Sequence, residues 1–166
     1  MIEKTEIDYL IDQLDASRVL TRFYMSKLKE VDMTKSFEYD GNQFNSAYWV
    51  LAHIAWAENM LLLRGTGGKR LRLSWLKSFE IGSTYIHTPE MPPIKEIIDG
   101  MKLIHETAIT HLKTLSIDAL DEPNALDFEF MGNKTTRMII QHAARHEASH
   151  AGHLGWLCKM HGINTF

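Results

Sequence analysis

The sequence has little of several features that would narrow its class. Its 166 residues include a single cysteine, so no internal disulfide can form, and we expect a cytoplasmic protein. No run of 18 apolar residues occurs, so no membrane span is expected. The acidic residues Asp8, Asp12 and Asp15 interrupt the opening segment, and we therefore expect no secretory signal.

The sequence also has no large excess of positive or negative charge. Lys and Arg total 18 and Asp and Glu total 21, which gives a formal net charge of −3. Without a basic patch, neither nucleic acid nor an anionic membrane is expected as the main partner. The hydrophobic content of 45% allows one sizeable core, so we expect a single domain over residues 1–166.

Four long segments show helical periodicity of their apolar residues. They cover approximately residues 6–30, 46–64, 94–115 and 134–160. A long crossover, residues 65–92, joins the second segment to the third, and a short helix is expected in it near residues 74–79. Residues 127–133 are expected to form a small extended piece. The predicted fold is all-α, a four-helix bundle with a long crossover between helices 2 and 3.

Histidine is concentrated in the last predicted helix. His142, His146 and His150 are each four residues apart, and His153 follows three residues later. Residues at this spacing lie above one another on one face of an α-helix. Neutral imidazole is the commonest protein ligand for transition metals, and an i, i+4 pair can hold one ion with two ring nitrogens. The pattern therefore predicts a metal site that needs a third ligand.

The second helix offers that ligand as His53, on one line with Trp49 and Trp56. This line faces inward if the tryptophans are core residues, as is also expected of Trp156. Two imidazole-bearing faces that meet inside one bundle would form a three-histidine site with at least one open coordination position. Alternatives stay open: His53 as an ordinary core histidine, His142 as a ligand or an outer-shell group, His153 as a hydrogen-bonding group at the edge, and His105 as partly exposed.

Two known metal motifs compete with this interpretation. His146-Glu147-Ala-Ser-His150 matches the zinc-protease pattern, in which the glutamate is the general base. The extended protease motif needs Gly and His where this chain has His153 and Trp156. A ferritin-like di-iron site needs two Glu-x-x-His strings, and only one is found. Glu147 is left as a candidate catalytic residue that acts on water, with a solvated or hydrogen-bonded role as the alternative.

These residues resemble the DinB-like superfamily. Its pattern is Leu-x-His-[Ile/Leu] on helix 2, present here as Leu51-Ala-His53-Ile54. On the last helix it is His-x-x-x-His-x-Gly-Gln, present here from His146 through His150 and Gly152, except that His153 replaces Gln. The resemblance implies that His53, His146 and His150 are the metal ligands.

The resemblance also implies a four-helix bundle, a homodimer and one divalent metal ion, with zinc or nickel favoured. It leaves the reaction open. Relatives are described as metal-dependent hydrolases or as transferases that use a low-molecular-weight thiol. The expected function is activation of water or a small thiol for attack on a small-molecule substrate. The alternative is a noncatalytic bundle that binds metal or a small ligand in a stress response.

The long crossover carries a further expectation. It mixes glycines with the aromatic residues Trp75, Phe79 and Tyr85. Loops of this length in compact domains are often lids or binding loops. We therefore expect part of it to border the mouth of the metal site, the alternative being that it only spans the bundle.

Overall fold

Four long helices dominate the computed structural model, which describes residues 3–83 and 87–165. A short antiparallel hairpin lies between the first two helices, with its turn at Asp40 and Gly41. In chain order the elements are α1 (Glu6–Leu28), β1 (Phe37–Tyr39), β2 (Asn42–Phe44), α2 (Ala47–Glu58), α3 (Ile94–Leu112) and α4 (Thr136–Met160). The predicted all-α bundle is confirmed, and the hairpin is a small addition to it.

Side-chain caps fix where the helices begin. The Thr5 hydroxyl accepts from the backbone N–H of Asp8, whose carboxylate accepts from the N–H of Thr5 in return, a capping box that starts α1. Ser46 caps α2 by accepting a hydrogen bond from the N–H of Trp49. Gly162, with a φ of 74°, follows α4, where a left-handed residue favours glycine. Except at the end of α2, the helices therefore begin and end close to the predicted positions.

The core divides into two apolar clusters along α4. One contains the start of α2, part of the crossover and the C-terminal part of α4 with Leu154 and Leu157. The other contains the N-terminal half of α1, the C-terminal half of α3 and Ile139 and Ile140 of α4. α1 packs mainly against α4, and α2 packs against both α3 and α4. The histidine-rich stretch of α4 lies between the two clusters, facing α2.

Two features hold the first half of the crossover in place: hydrogen bonds between Asn59 and Leu71, and a short turn that ends at the buried Phe79. After Glu58 the chain continues as a π-helix, Asn59–Arg64, so α2 is shorter than the predicted helix. The Asn59 amide accepts from the N–H of Leu71 at 2.8 Å and donates to its carbonyl at 3.1 Å. A 3₁₀ turn, Leu76–Phe79, forms where a short helix was predicted, and the Phe79 side chain is fully buried. Tyr85 lies outside the described residues.

The connection between α3 and α4 contains a small extended piece of the expected kind. Isolated bridges pair Phe130 with Asn133 and Pro123 with Thr135. The Asn124 side chain fixes this connection by donating to the carbonyl oxygens of Phe128 and Lys134. Among the helices of residues 3–83 and 87–165, none is both long and apolar enough to cross a bilayer.

Candidate metal centre

The bundle brings together the three histidines that the sequence singled out. His53 of α2 and His146 and His150 of α4 each offer a ring nitrogen, and these three atoms all lie within 4.8 Å of one another. The His53 ring is 5.2 Å from that of His146 and 4.9 Å from that of His150, measured between centroids. Nitrogens that bind one zinc ion at about 2.0–2.1 Å and tetrahedral angles lie about 3.4 Å apart, so small ring movements suffice for coordination.

His53 is held in one orientation by its surroundings. Its ring stacks between two indoles, 4.6 Å from Trp49 and 5.5 Å from Trp56. The Nδ1 atom lies 2.7 Å from the carbonyl oxygen of Phe79. A carbonyl only accepts, so Nδ1 carries the proton and donates, which leaves the Nε2 lone pair free for a metal. The crossover thus fixes the tautomer of a candidate ligand through Phe79.

The electrostatic setting keeps the three imidazoles neutral. Burial, with the neighbouring histidines His53, His142 and His153, lowers the pKa of His146 to about 4. Burial, followed by the same kind of repulsion from nearby histidines, lowers the pKa of His150 to about 3. Burial also lowers the pKa of His53, opposed by its hydrogen bond to Phe79. A neutral imidazole is the form that binds metal, so the site is prepared for a cation at neutral pH.

The two outer histidines of the α4 stripe lie on either side of the group. The His142 ring centroid is 6.1 Å from that of His146, and His142 packs between Phe128 and Phe130. Its buried Nδ1 has no hydrogen-bond partner among the described residues. His153 is exposed, and its Nδ1 lies 3.2 Å from Nδ1 of His150. His153 therefore contacts a candidate ligand from outside, at the position where the resembling family has Gln.

Glu147, the candidate catalytic residue of the protease-like motif, is directed elsewhere. Its Oε1 lies 2.8 Å from Nε of Arg18, and its Oε2 accepts from Nη2 of Arg18 at 3.1 Å. Both side chains are almost fully buried between α1 and α4. Burial raises the pKa of Glu147, and the charge of Arg18 opposes this. The carboxylate is thus committed to an ion pair on the α1 side of α4, and the structure does not group it with the three histidines.

The Glu147 pair belongs to a charged network that sequence reasoning missed. Nη2 of Arg18 also donates to Glu58 at 2.6 Å, and the other oxygen of Glu58 lies 2.6 Å from Nδ1 of His105. Nε2 of His105 lies 2.9 Å from Asp15 at the surface. Burial lowers the pKa of His105, but Glu58 outweighs burial, so the net shift is upward. His105 was expected to be partly exposed; it is only 7% exposed, because it pairs with Glu58.

A cavity of about 340 Å³ opens beside His150 and His153. The hairpin residue Phe44 and Trp156 of α4 line it. Trp156 was expected in the core, yet it is 66% exposed, because it lies on the outer side of α4 beyond His153. The described crossover residues do not line this cavity; they reach the site from behind His53, through Phe79. Among the described residues, the hairpin and α4 border this cavity, and the lid role of the crossover stays a prediction.

Comparison with known protein families gives a match, and it covers most of the chain. A family model described as the DinB superfamily matches residues 13–154, which include all three candidate ligands. No curated protein matches the chain significantly.

Proposed function

The chain belongs to the DinB superfamily, and from that premise we propose that it is a metal-dependent enzyme with one divalent ion held by His53, His146 and His150. Zinc or nickel is the proposed ion, since imidazole ligands suit both. The proposed reaction is attack by water or a small thiol on a small-molecule substrate.

The observation that carries this proposal is the convergence of three neutral imidazoles from two helices. Their candidate ligand nitrogens lie within 4.8 Å of one another, with His53 buried and His146 and His150 half-buried. His146 has no hydrogen bond to any described residue, and His53 directs only its Nδ1 to a protein acceptor. Since His146 and His150 are half-buried, their ring nitrogens are accessible to a cation that the three rings could share.

Three protein ligands leave at least one position for another molecule, the arrangement typical of catalytic metal sites. A divalent ion at such a site supplies Lewis acidity, which lowers the pKa of a coordinated water or thiol. The residues of this chain would do the rest. Phe79 holds the tautomer of His53, and the stacked indoles of Trp49 and Trp56 keep water away from its flanks.

The partners and the location are proposed from the sequence. We propose a small-molecule substrate, with neither nucleic acid nor membrane as a partner, from the balanced charge of the sequence. The single cysteine, Cys158, is buried and unpaired, in keeping with a cytoplasmic protein. The homodimer is proposed from the family resemblance, and sedimentation of the untagged protein measures it directly.

Activity assays of metal-loaded protein test the function. Protein loaded with zinc or nickel should cleave 4-nitrophenyl acetate, or should accelerate transfer of a small thiol such as cysteine to 1-chloro-2,4-dinitrobenzene. His146→Ala and chelation should each remove this activity. His111→Ala is the matched control, because His111 lies outside the group and bonds to Thr66 instead.

Activity that survives both chelation and His146→Ala would contradict the proposal. Tight metal binding without either reaction, over a broad range of esters, amides and thiol acceptors, would instead favour the noncatalytic binding protein.

A further inference from the structure

The cavity beside the three-histidine group has walls without charged side chains among the described residues. Its volume of about 340 Å³ falls within the range of small-molecule sites, roughly 300–1,000 Å³. His150 and His153 form one side, so a molecule in this cavity lies against a candidate metal ligand. The start of α2, the hairpin and the C-terminal part of α4 supply the remaining walls.

No Lys, Arg, Asp or Glu is found among the described residues that line this cavity. Besides the two histidines, its polar side chains are the amides of Gln43 and Asn45, and the rest of the lining is apolar. No side chain of fixed charge in these walls offsets the hydration that an ion would lose on entering the cavity. A second cavity of about 330 Å³, between α1 and α3, is lined by Arg18, Arg22 and Lys102 and shows the contrast.

Two large apolar side chains at the cavity remain in contact with solvent. Trp156 is 66% exposed and Phe44 is 43% exposed, although both line it. A flat apolar molecule seated between them would remove aromatic surface from water and stack on the rings. The two exposed rings therefore offer a stacking surface for such a molecule.

The indole of Trp49 adds a polar requirement. Trp49 lines the same cavity and is 7% exposed, and its Nε1–H is buried without an acceptor among the described residues. A buried donor that lacks a partner is costly, and buried indole N–H groups usually have one. An acceptor oxygen on a bound molecule would satisfy it after a small ring movement.

We propose that this cavity is the substrate subsite and that it selects an uncharged, largely apolar small molecule with a hydrogen-bond acceptor oxygen, such as an aromatic ketone or ester. That the bound molecule is a substrate rests on the proposed function. The binding preference rests on the cavity walls alone.

Binding of three unreactive probes of one shape tests the proposal: acetophenone, benzoate and benzylammonium. The protein is used both as purified and after chelation, and the four indole N–H signals are followed by nuclear magnetic resonance. Acetophenone should shift the signals of Trp49 and Trp156, and should bind at least about tenfold more tightly than either ion to chelated protein. Equal or tighter binding of an ion at these indoles would overturn the proposal, as would no binding of acetophenone.

Variants locate the binding. Trp156→Ala and Phe44→Ala should each weaken acetophenone binding by about tenfold. Tyr39→Ala is the matched control, because Tyr39 is an exposed aromatic of the same hairpin that does not line the cavity. Trp49→Phe should reduce the preference for acetophenone over ethylbenzene, since it keeps a ring but removes the N–H. An unchanged preference would overturn the acceptor requirement.

Two readouts separate this inference from the proposed function. If the probes bind as expected but no divalent metal binds, the proposed function fails and the cavity preference stands. If metal binds and acetophenone does not, the subsite fails alone. A dimer of the parent protein that dissociates in Trp156→Ala, measured by sedimentation, would show that a second copy covers the cavity and would overturn the proposal.

Discussion

Adjacent residues of α4, His146 and Glu147, belong to two polar clusters that satisfy opposite requirements. His146 joins His53 and His150 in a group of rings that each offer one nitrogen to a possible metal ion. Glu147 joins Arg18 and Glu58 in a buried network of paired charges. The charges of the network are paired with one another, whereas the three histidines could together hold a cation. The same core thus holds one closed structural cluster and one open cluster suited to chemistry.

The largest effect is expected where the closed cluster is broken. Arg18→Ala leaves two buried carboxylates, Glu58 and Glu147, without their cation, and should cost about 3–5 kcal/mol of the free energy of unfolding. Urea denaturation measures it. Arg137→Ala is the matched control, since Arg137 also bridges two carboxylates, Glu6 and Asp121, but at the surface, and it should cost far less.

Replacing all three charges sharpens that result. Arg18→Met combined with Glu58→Gln and Glu147→Gln should recover much of the lost stability, because no unpaired charge remains in the core. Equal costs for Arg18→Ala and Arg137→Ala would contradict the closed-cluster account.

The open cluster should be broken by losing a ligand rather than a charge. His146→Ala should lower metal affinity by more than about 100-fold while the protein keeps its helical circular dichroism. His142→Ala, which removes a ring outside the group, should lower affinity by about 10–100-fold or less, as is typical of groups around the ligands. Competition with a chromophoric chelator measures both, and an equal loss in the two variants would make His142 a ligand.

In metal-free protein, acidification should lower the stability contributed by the open cluster and raise the stability contributed by the closed cluster. The folded-state pKa values of His146 and His150, about 4 and about 3, lie below the unfolded value near 6.5. The unfolded chain therefore binds more protons below pH 6.5, and stability falls on acidification by at most about 1.4 kcal/mol per pH unit per histidine. The pKa of His105 is raised, so its pairing stabilises fully below pH 6.5 and is lost as pH rises through the folded value.

Denaturation between about pH 5 and 7 separates these contributions. His150→Ala should flatten the loss of stability on acidification relative to the parent. His105→Gln should steepen it, because the stabilising protonated form is gone. Identical pH profiles for the two variants would show that the clusters do not differ as described.

The smallest effect is expected at the edge of the open cluster. His153 contacts His150 through the two Nδ1 atoms, so His153→Leu should weaken metal binding by about tenfold. His153→Gln should restore most of it, since an amide also hydrogen-bonds. Calorimetric titration compares the two, and no difference between Leu and Gln would leave His153 without a role in holding His150.

The sequence predicted the open cluster because its pattern is largely local. His146 and His150 lie one helical turn apart, so one helix is enough to place them on a shared face. His53 required only that the line with Trp49 and Trp56 face inward, and both Trp49 and His53 are buried. The family resemblance selected the same three residues.

The closed cluster escaped prediction because its members are far apart in the chain. Arg18, Glu58 and His105 come from three helices, and each alone resembles an ordinary solvated charge. A signal was present, since Arg18 lies four residues after Leu14 and Glu58 four after Ile54, both core residues. Which charges pair depends on how the helices pack, and helical periodicity does not specify that packing.

The environment of Trp156 also depends on helix packing, but here a residue expected in the core is exposed. A tryptophan three residues beyond His153 was expected in the core, but α4 turns this face towards the hairpin and solvent. The predicted fold contained no hairpin, so the cavity that the hairpin forms with α4 was not foreseen.

The most direct test of the account is the metal content of untagged protein. Elemental analysis after exposure to zinc or nickel and removal of excess ion should give one equivalent per chain, falling to near zero when His53, His146 and His150 are all replaced by Ala. X-ray absorption of the bound ion should show three imidazole ligands. A folded parent protein that binds no ion, or a triple variant that keeps its full equivalent, would contradict the central claim.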